Sequence, residues 1–249
     1  MDIRLLSDYL TETYPQVECR TLCKKLEDKN PIAYGLHMLQ QMWSMAHSKV
    51  ILIDGYCIAA SILHHREGTK VVQMWHALAA IKKFGYQTID KPSGHSSAVA
   101  EAMCMHRNYD HVICASQATG EHFKKCFNID GSQLTFLALP RVDEILRPDT
   151  ILPPEFAKGT REDRVSQFVD FMKESYGIAG GQQVILYVPT FRKYADVDLN
   201  ELVKAVDEEG YTLVVKAHPL YDNLKYDIEP EHVQVIIDKN YSSYQWLTV

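Results

Sequence analysis

The stretch KVVQMWHALAAIKKFGY, residues 70–86, combines a short apolar strand with polar residues at its end. The valines near its start are typical of a buried strand, and Trp75 and His76 come where that strand would end. Ligands of open α/β sheets bind outside the carboxyl ends of parallel strands, so the pattern predicts a site at His76. Small alanines then leave room for a substrate, and two lysines and Gly85 follow. The alternative is that His76 merely caps the strand and Trp75 belongs to the core.

Segments typical of strands and of helices alternate along the chain, which indicates parallel βαβ units. The predicted strands are Lys49–Ile53, Lys70–Trp75, His111–Ala115, Gln133–Leu139, Val184–Val188, Leu213–Lys216 and Val233–Ile237. The clearest predicted helices are Ser96–Arg107, Gln117–Phe127, Arg161–Tyr176 and Leu199–Glu209. Pro148–Gly159 breaks the alternation with a proline pair and is the predicted linker between two α/β halves.

Composition excludes several classes of protein. The 249 residues carry a net charge of −6, so no general basic field favours binding to nucleic acid. No apolar run approaches the ~20 residues of a membrane span, and the first residues lack the layout of a signal peptide. The six cysteines form no paired CxxC units, which favours reduced thiols in the cytoplasm. No metal-binding spacing such as HExxH occurs, so neither a metal nor another cofactor is expected.

Two strand ends in the second half carry residues suited to binding phosphate. VILYVPTFRK, residues 184–193, and LVVKAHPL, residues 213–220, are aliphatic runs that end in polar side chains. These side chains are Thr190, Arg192 and Lys193 in the first run, and Lys216 and His218 in the second. With the lysines that follow His76, they supply the local cations that a chain of negative net charge needs for phosphate chemistry.

The three motifs together resemble the CDP-glycerol glycerophosphotransferase family of teichoic acid synthesis. Members typically show WHG or WHA followed by KK and a glycine, then A/V-P-T-F/W-R, then K-x-H-P. Here these motifs are residues 75–77 with 82–85, residues 188–192 and residues 216–219. The order is the same, and the resemblance runs through nearly the whole chain.

The resemblance implies an α/β, GT-B-like fold in which two Rossmann-like halves face a cleft. Residues 1–148 would form the acceptor-side domain, 149–160 the linker and 161–249 a partial nucleotide-donor domain. His76 would then face Arg192 and His218 across the cleft.

The resemblance also implies that the chain is truncated at both ends. Family members usually have a strand before a segment like residues 2–6, and a D-Y-S-S motif that helps to hold the donor lies beyond a region like residues 244–247. Tyr241-Ser242-Ser243 precedes that region and lacks the aspartate, so it is not this motif. Ala77 and Ala79 stand where many members have glycine, which narrows the room near His76. We therefore expect the isolated chain to be poorly soluble or to dimerise, and to transfer little glycerol phosphate.

The implied reaction is attack of an acceptor hydroxyl on the phosphorus of a CDP-linked donor, with CMP leaving. His76 would be the general base, a role that suits a neutral histidine. Arg192 offers a planar fork for two phosphate oxygens, and His218 would bind a phosphate or protonate CMP. Thr190, Lys193 and Lys216 complete the expected donor-phosphate set.

Five further residues are predicted near the acceptor. Asp54 ends a strand and either borders the acceptor channel or belongs to a turn. Ser116 and Arg141 also follow predicted strands on the cleft side. Lys82 and Lys83 would lie on a helix after the His76 motif, either on a solvated face or in contact with the polyanionic acceptor.

The partners implied by the resemblance are CDP-glycerol or CDP-ribitol and a lipid-linked polyol-phosphate acceptor, with no nucleic acid. These partners are compatible with a cytoplasmic protein that contacts the inner membrane peripherally. They are also compatible with a protein that forms oligomers. One alternative is a nucleotide-sugar glycosyltransferase or epimerase of the same fold, although the Glu or Gly-rich donor loop usual in those enzymes is not seen in the sequence. The other is an inactive protein that binds the acceptor or another subunit.

Overall fold

The chain divides into two compact units, Met1–Val142 and Asp143–Val249. The computed structural model describes residues 2–23, 30–189, 197–217 and 224–249. The division falls close to the predicted linker, while the acceptor and donor roles of the two halves stay predictions.

The first unit is built on a parallel sheet whose strands follow one another in chain order. The strands are β1 (Val50–Ile53), β2 (Lys70–Gln73), β3 (His111–Cys114) and β4 (Leu134–Phe136). The helices are α1 (Asp2–Thr13), α2 (Pro31–His47), α3 (Ile58–Ile62), α4 (Ser97–Ala102), α5 (Gln117–Phe127) and α6 (Pro140–Leu146), the last of which runs into the second unit. Because all four strands point the same way, their carboxyl ends share one edge of the sheet.

Alternating burial along the strands places the core of the first unit. In β1, β2 and β3 the second and fourth residues point inward. Ile51, Val71 and Val112 on these positions pack in one cluster with Phe123 and Phe127 of α5. The sheet face that carries these residues is therefore covered by α5.

The second unit places helices on both faces of a smaller parallel sheet. Its strands are β5 (Val184–Tyr187), β7 (Thr212–Val215) and β9 (Val235–Ile237) in the order β5-β7-β9, and β6 (Val197–Asp198) pairs with β8 (Leu224–Lys225). The helices are α7 (Arg161–Tyr176), α8 (Asn200–Glu209) and α9 (Ser243–Trp246). Val214 packs with the α7 cluster, while Leu213 and Val215 pack with the α8 cluster, so every residue of β7 is buried. Strands buried on both faces are typical of α/β proteins.

Local capping explains why two helices have the predicted bounds. The Ser116 side chain accepts a hydrogen bond from the backbone at the start of α5, and Asn128 ends that helix in the left-handed conformation. Thr160 and Asp163 form a capping box at the start of α7, and Gly177 ends it with a φ of 66°. The predictions of Gln117–Phe127 and Arg161–Tyr176 are confirmed.

The helix predicted directly after His76 is wrong. Between Met74 and Phe84 the chain forms neither helix nor strand, and a short 3-10 helix follows at Gly85–Thr88. The ring of Phe84 stacks on Trp75 with centroids 4.2 Å apart. A continuous helix would separate the two residues by about 13 Å, so this packing requires the chain to loop back.

Other elements also differ from the predictions: the strands predicted at Lys70–Trp75 and Gln133–Leu139 are shorter, at Lys70–Gln73 and Leu134–Phe136. Helix α4 ends at Ala102 rather than Arg107, because Cys104, His106 and Asn108 are in left-handed conformations with φ of 47°, 59° and 74°. Pro140 begins α6 instead of only ending a strand, as its fixed φ allows at a first helical turn. The predicted linker contains 3-10 helices at Pro148–Ile151 and Pro154–Phe156.

The linker segment is also tied to α7. The Asp149 carboxylate pairs with Arg161 at 3.1 Å and with Arg164 at 2.6 Å.

Within the described ranges, no helix has both the length and the apolar character that crossing a membrane requires.

Candidate functional site

His76 lies just beyond the carboxyl end of β2, at the edge of the sheet where the strand ends meet. The amide of Met74 still donates to the Ile53 carbonyl at 2.7 Å, and the chain then turns. Trp75 makes this turn in a left-handed conformation with a φ of 58°. Such a conformation costs a non-glycine residue of order 1–3 kcal/mol, so the surrounding contacts must hold it.

Two contacts fix the imidazole of His76. Its Nδ1 lies 2.9 Å from the backbone carbonyl oxygen of Asp54, which follows β1. A carbonyl oxygen can only accept a hydrogen bond, so this contact requires the proton on Nδ1, and in the neutral ring Nε2 keeps its lone pair. The ring also lies against the Trp75 indole, with centroids 4.2 Å apart, and the residue is exposed. The arrangement presents a proton acceptor to solvent, as a general base requires.

The indole of Trp75 is itself held by aromatic packing. Phe84 stacks on it at an interplanar angle of 18°, and Phe127 of α5 meets it edge-on at 5.3 Å. Trp75 is partly buried and packs against the core cluster of the first unit. It is therefore part of the core, as the alternative interpretation of the motif expected, and it also supports His76.

Gly85, the last residue of the motif, occupies a position where a side chain does not fit. Its φ is 54°, a conformation that favours glycine. A Cβ placed here would collide with the backbone carbonyl oxygen of Cys126 and lie 2.9 Å from Nε2 of His106. The glycine lets the segment after His76 pack closely on the end of α5.

Asp54 and Ser116 lie at the same edge of the sheet as His76, after β1 and β3. The backbone carbonyl of Asp54 holds His76, and its side chain is exposed. The Ser116 hydroxyl accepts from the Thr119 amide at 3.2 Å and donates to the Thr119 hydroxyl at 3.1 Å. Ser116 therefore has a structural role as the cap of α5, and the acceptor contacts of both residues stay predictions.

Arg141 is engaged by a buried carboxylate. Its backbone amide donates to Asp2 Oδ1 at 2.9 Å, and its guanidinium donates through Nε, at 2.7 Å, and Nη2 to Asp2 Oδ2. Burial raises the pKa of Asp2, but the hydrogen bonds and charge of Arg141 outweigh it and hold that pKa below its usual value. The pair joins α1 to α6, which gives Arg141 a structural role that the sequence did not indicate.

Lys82 and Lys83 lie in the irregular segment between His76 and Gly85, and both are exposed. They are not on a helix, so the prediction that they lie on a helical face is wrong. Their proximity to His76 along the chain keeps open the prediction of contact with a polyanionic acceptor.

The predicted donor-phosphate residues are mostly not described by the structure. Thr190, Arg192, Lys193 and His218 lie outside the described residues, so their expected positions stay predictions. Lys216 is described, directly after β7. Its ammonium donates to the backbone carbonyl of Asp238 at 2.9 Å and to Asp238 Oδ2 at 3.0 Å.

Asp238, which the sequence interpretation missed, organises the end of the second sheet. Besides Lys216, its carboxylate accepts from the Tyr176 hydroxyl, from Trp246 Nε1 at 2.9 Å and from the backbone amides of Asn240 and Tyr241, each at 3.0 Å. Burial raises its pKa, but these donors hold it well below the usual range. An aspartate directly after an apolar strand was the signal that could have identified it.

Gln73 was missed as well, and it is the fourth residue of β2. It is fully buried, at 0% exposure, on the inward positions that Val71 also occupies. A polar residue at an inward position of an apolar strand was the available signal.

Within the described part of the chain, no cluster of three or more His, Cys, Asp or Glu side chains could hold a metal ion, and all six cysteines are free thiols.

Comparison with known proteins identifies relatives over the whole chain. The model of a family described as CDP-Glycerol:Poly(glycerophosphate) glycerophosphotransferase matches residues 1–249. The teichoic acid ribitol-phosphate primase of Bacillus spizizenii W23 is 27% identical over 246 residues, which cover 94% of this chain and 59% of that protein. The teichoic acid glycerol-phosphate primase of Bacillus subtilis 168 is 28% identical over 220 residues, covering 86% and 50%. The chain thus spans between half and three fifths of the length of these relatives.

A solved structure of the wall teichoic acid polymerase TagF has the same fold. The TM-score is 0.60 at 16% sequence identity, and the match covers 98% of this chain and 60% of the polymerase chain. With the parallel sheets described above, this confirms the predicted α/β, GT-B-like fold class.

Proposed function

Because the chain belongs to the CDP-glycerol:poly(glycerophosphate) glycerophosphotransferase family, we propose that it transfers glycerol phosphate or ribitol phosphate from a CDP-linked donor. The acceptor is a polyol-phosphate chain of the teichoic acid type, and CMP is released. The observation that carries the proposal is the geometry of His76, an exposed residue whose Nδ1 is held by the Asp54 carbonyl, so that Nε2 of the neutral ring is left to accept a proton. The family match favours this function over a nucleotide-sugar glycosyltransferase.

The proposed step balances in atoms and charge. The acceptor hydroxyl oxygen forms a bond to the donor phosphorus, its proton passes to His76 Nε2, and the bond from phosphorus to the CMP oxygen breaks. As the imidazole becomes positive, its Nδ1–H bond to the Asp54 carbonyl strengthens, because the donor is now charged. The resemblance assigns the pyrophosphate of the donor to Arg192 together with His218, which would bind a phosphate or protonate the leaving CMP.

We further propose that the first unit binds the acceptor and the second the donor. Lys82 and Lys83 would contact acceptor phosphates, since both are exposed cations close in sequence to His76. The acceptor would be lipid-linked, and the protein would work in the cytoplasm at the inner face of the membrane.

The test is release of CMP by the purified 249-residue chain with CDP-glycerol or CDP-ribitol, each with and without a polyol-phosphate acceptor. Because the isolated chain is expected to transfer little, we expect slow release that nevertheless requires the acceptor and is faster with one of the two donors. Release that is independent of the acceptor would indicate hydrolysis and would contradict the proposal.

Acceptor binding without transfer is the second candidate, and Lys216 favours it. This cation of the predicted donor set is paired with the Asp238 carboxylate. Binding of the acceptor with no CMP release from either donor would select this second function.

A further inference from the structure

We infer that Gln73 is a positioning residue for His76, through one buried amide that ties together both supports of the imidazole. Its importance for catalysis rests on the proposed function, whereas its effect on His76 can be measured on the protein alone.

The contacts of Gln73 use both ends of its side-chain amide. Nε2 donates to the Gly55 carbonyl at 2.9 Å and to the Tyr109 hydroxyl at 3.1 Å. Oε1 accepts from the backbone amide of Trp75 at 2.8 Å. Because a carbonyl only accepts and a peptide N–H only donates, these two backbone partners fix the orientation of the amide.

The two backbone partners are the immediate neighbours of the groups that hold His76. Gly55 follows Asp54, whose carbonyl oxygen receives the His76 Nδ1 proton. Trp75 precedes His76, and its left-handed turn aims the imidazole. Gln73 therefore sets the distance between the chain after β1 and the chain after β2, which is the distance that the His76–Asp54 hydrogen bond must span.

Tyr109 completes the network on the side away from His76. Its hydroxyl accepts from Gln73 and forms a hydrogen bond of 2.9 Å with Nδ1 of His106. Removal of Gln73 would leave the Gly55 carbonyl and the Trp75 amide without this partner inside the protein, where unpaired polar groups are costly. The left-handed turn at Trp75 would lose the hydrogen bond that offsets its strain.

The experiment compares Gln73→Met with Asp110→Ala, a matched control that lies directly before β3 and also contacts β2. Asp110 accepts from Lys70 Nζ and from the Val71 amide, both at 2.8 Å, and so ties the opposite end of β2. The readout is the tautomer of His76 in nitrogen-15 NMR of the ligand-free chain. We expect a single tautomer protonated at Nδ1 in the wild type and in Asp110→Ala, and loss of this single tautomer in Gln73→Met.

Turnover supplies a second readout for chains that transfer. A misplaced base lowers kcat by up to about 10²-fold, while KM for the CDP donor stays unchanged because no donor contact is removed. Asp110→Ala should retain both constants. An unchanged His76 tautomer in folded Gln73→Met would overturn the inference whatever the outcome for CMP release, so this result is independent of the proposed function.

Two measurements keep the test decisive if Gln73→Met does not fold. Gln73→Glu preserves the shape and the acceptor for the Trp75 amide, and its ionised carboxylate lacks the donor to the Gly55 carbonyl, so His76 should again lose its single tautomer at a pH where the carboxylate is ionised. In the wild type, the Trp75 amide should exchange with solvent at least about tenfold more slowly than an unstructured amide. Free exchange of that amide would refute the inference without any substitution.

Discussion

The backbone carbonyl oxygen of Asp54 holds Nδ1 of His76 at 2.9 Å. The two residues follow adjacent parallel strands, β1 and β2, so the contact exists only when the sheet is correctly formed. It fixes the protonated nitrogen and leaves the other nitrogen to accept a proton. A backbone group thus does for this histidine what a carboxylate side chain does in other sites.

Replacement of His76 should separate chemistry from binding. His76→Ala removes the proposed base, so turnover should fall by roughly 10²–10⁴-fold. Affinity for the CDP donor should barely change, because the base acts on the acceptor hydroxyl. CMP release and donor binding are measured separately, with His122→Ala, an exposed histidine of α5, as the control. Turnover close to that of the wild type would return His76 to a purely structural role.

Gly85→Ala should destabilise the first unit far more than the same substitution at another glycine with a positive φ. The new methyl group would collide with the Cys126 carbonyl in addition to straining the backbone, at a cost of about 2–4 kcal/mol. Gly68→Ala is the matched control, because its φ is 84° but nothing lies within 4 Å of its Cβ position. Gly68→Ala should lower the free energy of unfolding by only about 1 kcal/mol. Urea denaturation measures both, and equal losses would show that the close contact at Gly85 is relieved by local movement.

The stability of the first unit should depend on pH through His106. Burial, with a smaller contribution from His95, lowers the pKa of His106 from its usual 6.5 to about 4. The unfolded chain therefore binds a proton between these values while the folded chain does not. Stability should be complete above about pH 6.5 and should decrease as the pH falls toward 4, by up to about 3 kcal/mol.

Hydrogen exchange of the β2 and β3 amides, corrected for intrinsic rates, measures this dependence. His106→Asn keeps a hydrogen-bonding side chain for the Tyr109 hydroxyl and tolerates the left-handed φ of 59°, so it should flatten the pH dependence. His122→Asn should leave it unchanged. The same slope in His106→Asn as in the wild type would assign the pH dependence to another group.

Sequence reasoning located elements that local signals define. The bounds of α5 and α7 follow from capping residues that stand next to them in the chain, and the His76 motif follows from a strand that ends in polar residues. Those signals need no knowledge of the tertiary structure.

The contacts that complete the site could not be predicted in this way. Gln73 donates a hydrogen bond to Tyr109, which lies far from it in the sequence. Arg141 pairs with Asp2 at the opposite end of the unit's sequence. Such pairs depend on the three-dimensional arrangement, and a single sequence gives no spacing that indicates them. The irregular segment after His76 was mistaken for a helix for the same reason, since the packing of Phe84 on Trp75 overrides its helical propensity.

Lys216→Met should reduce the stability of the second unit, because the buried Asp238 would lose its ammonium partner. Four hydrogen-bond donors remain, and the pKa of Asp238 should rise toward its usual value. The wild type should therefore exceed the variant in stability above about pH 4, and the difference should shrink in acid as Asp238 becomes protonated in both proteins.

Hydrogen exchange of the β7 and β9 amides in the full chain checks this difference for Lys216→Met. The control is Lys204→Met, which removes an exposed lysine of α8 and should leave those amides unchanged. The same samples are tested for binding of CDP-glycerol. If Lys216 mainly stabilises the sheet end, the β7 and β9 amides of Lys216→Met exchange faster while the variant still binds CDP-glycerol. Unchanged exchange with a loss of donor affinity would instead place the ammonium on the donor phosphate and would contradict the structural role.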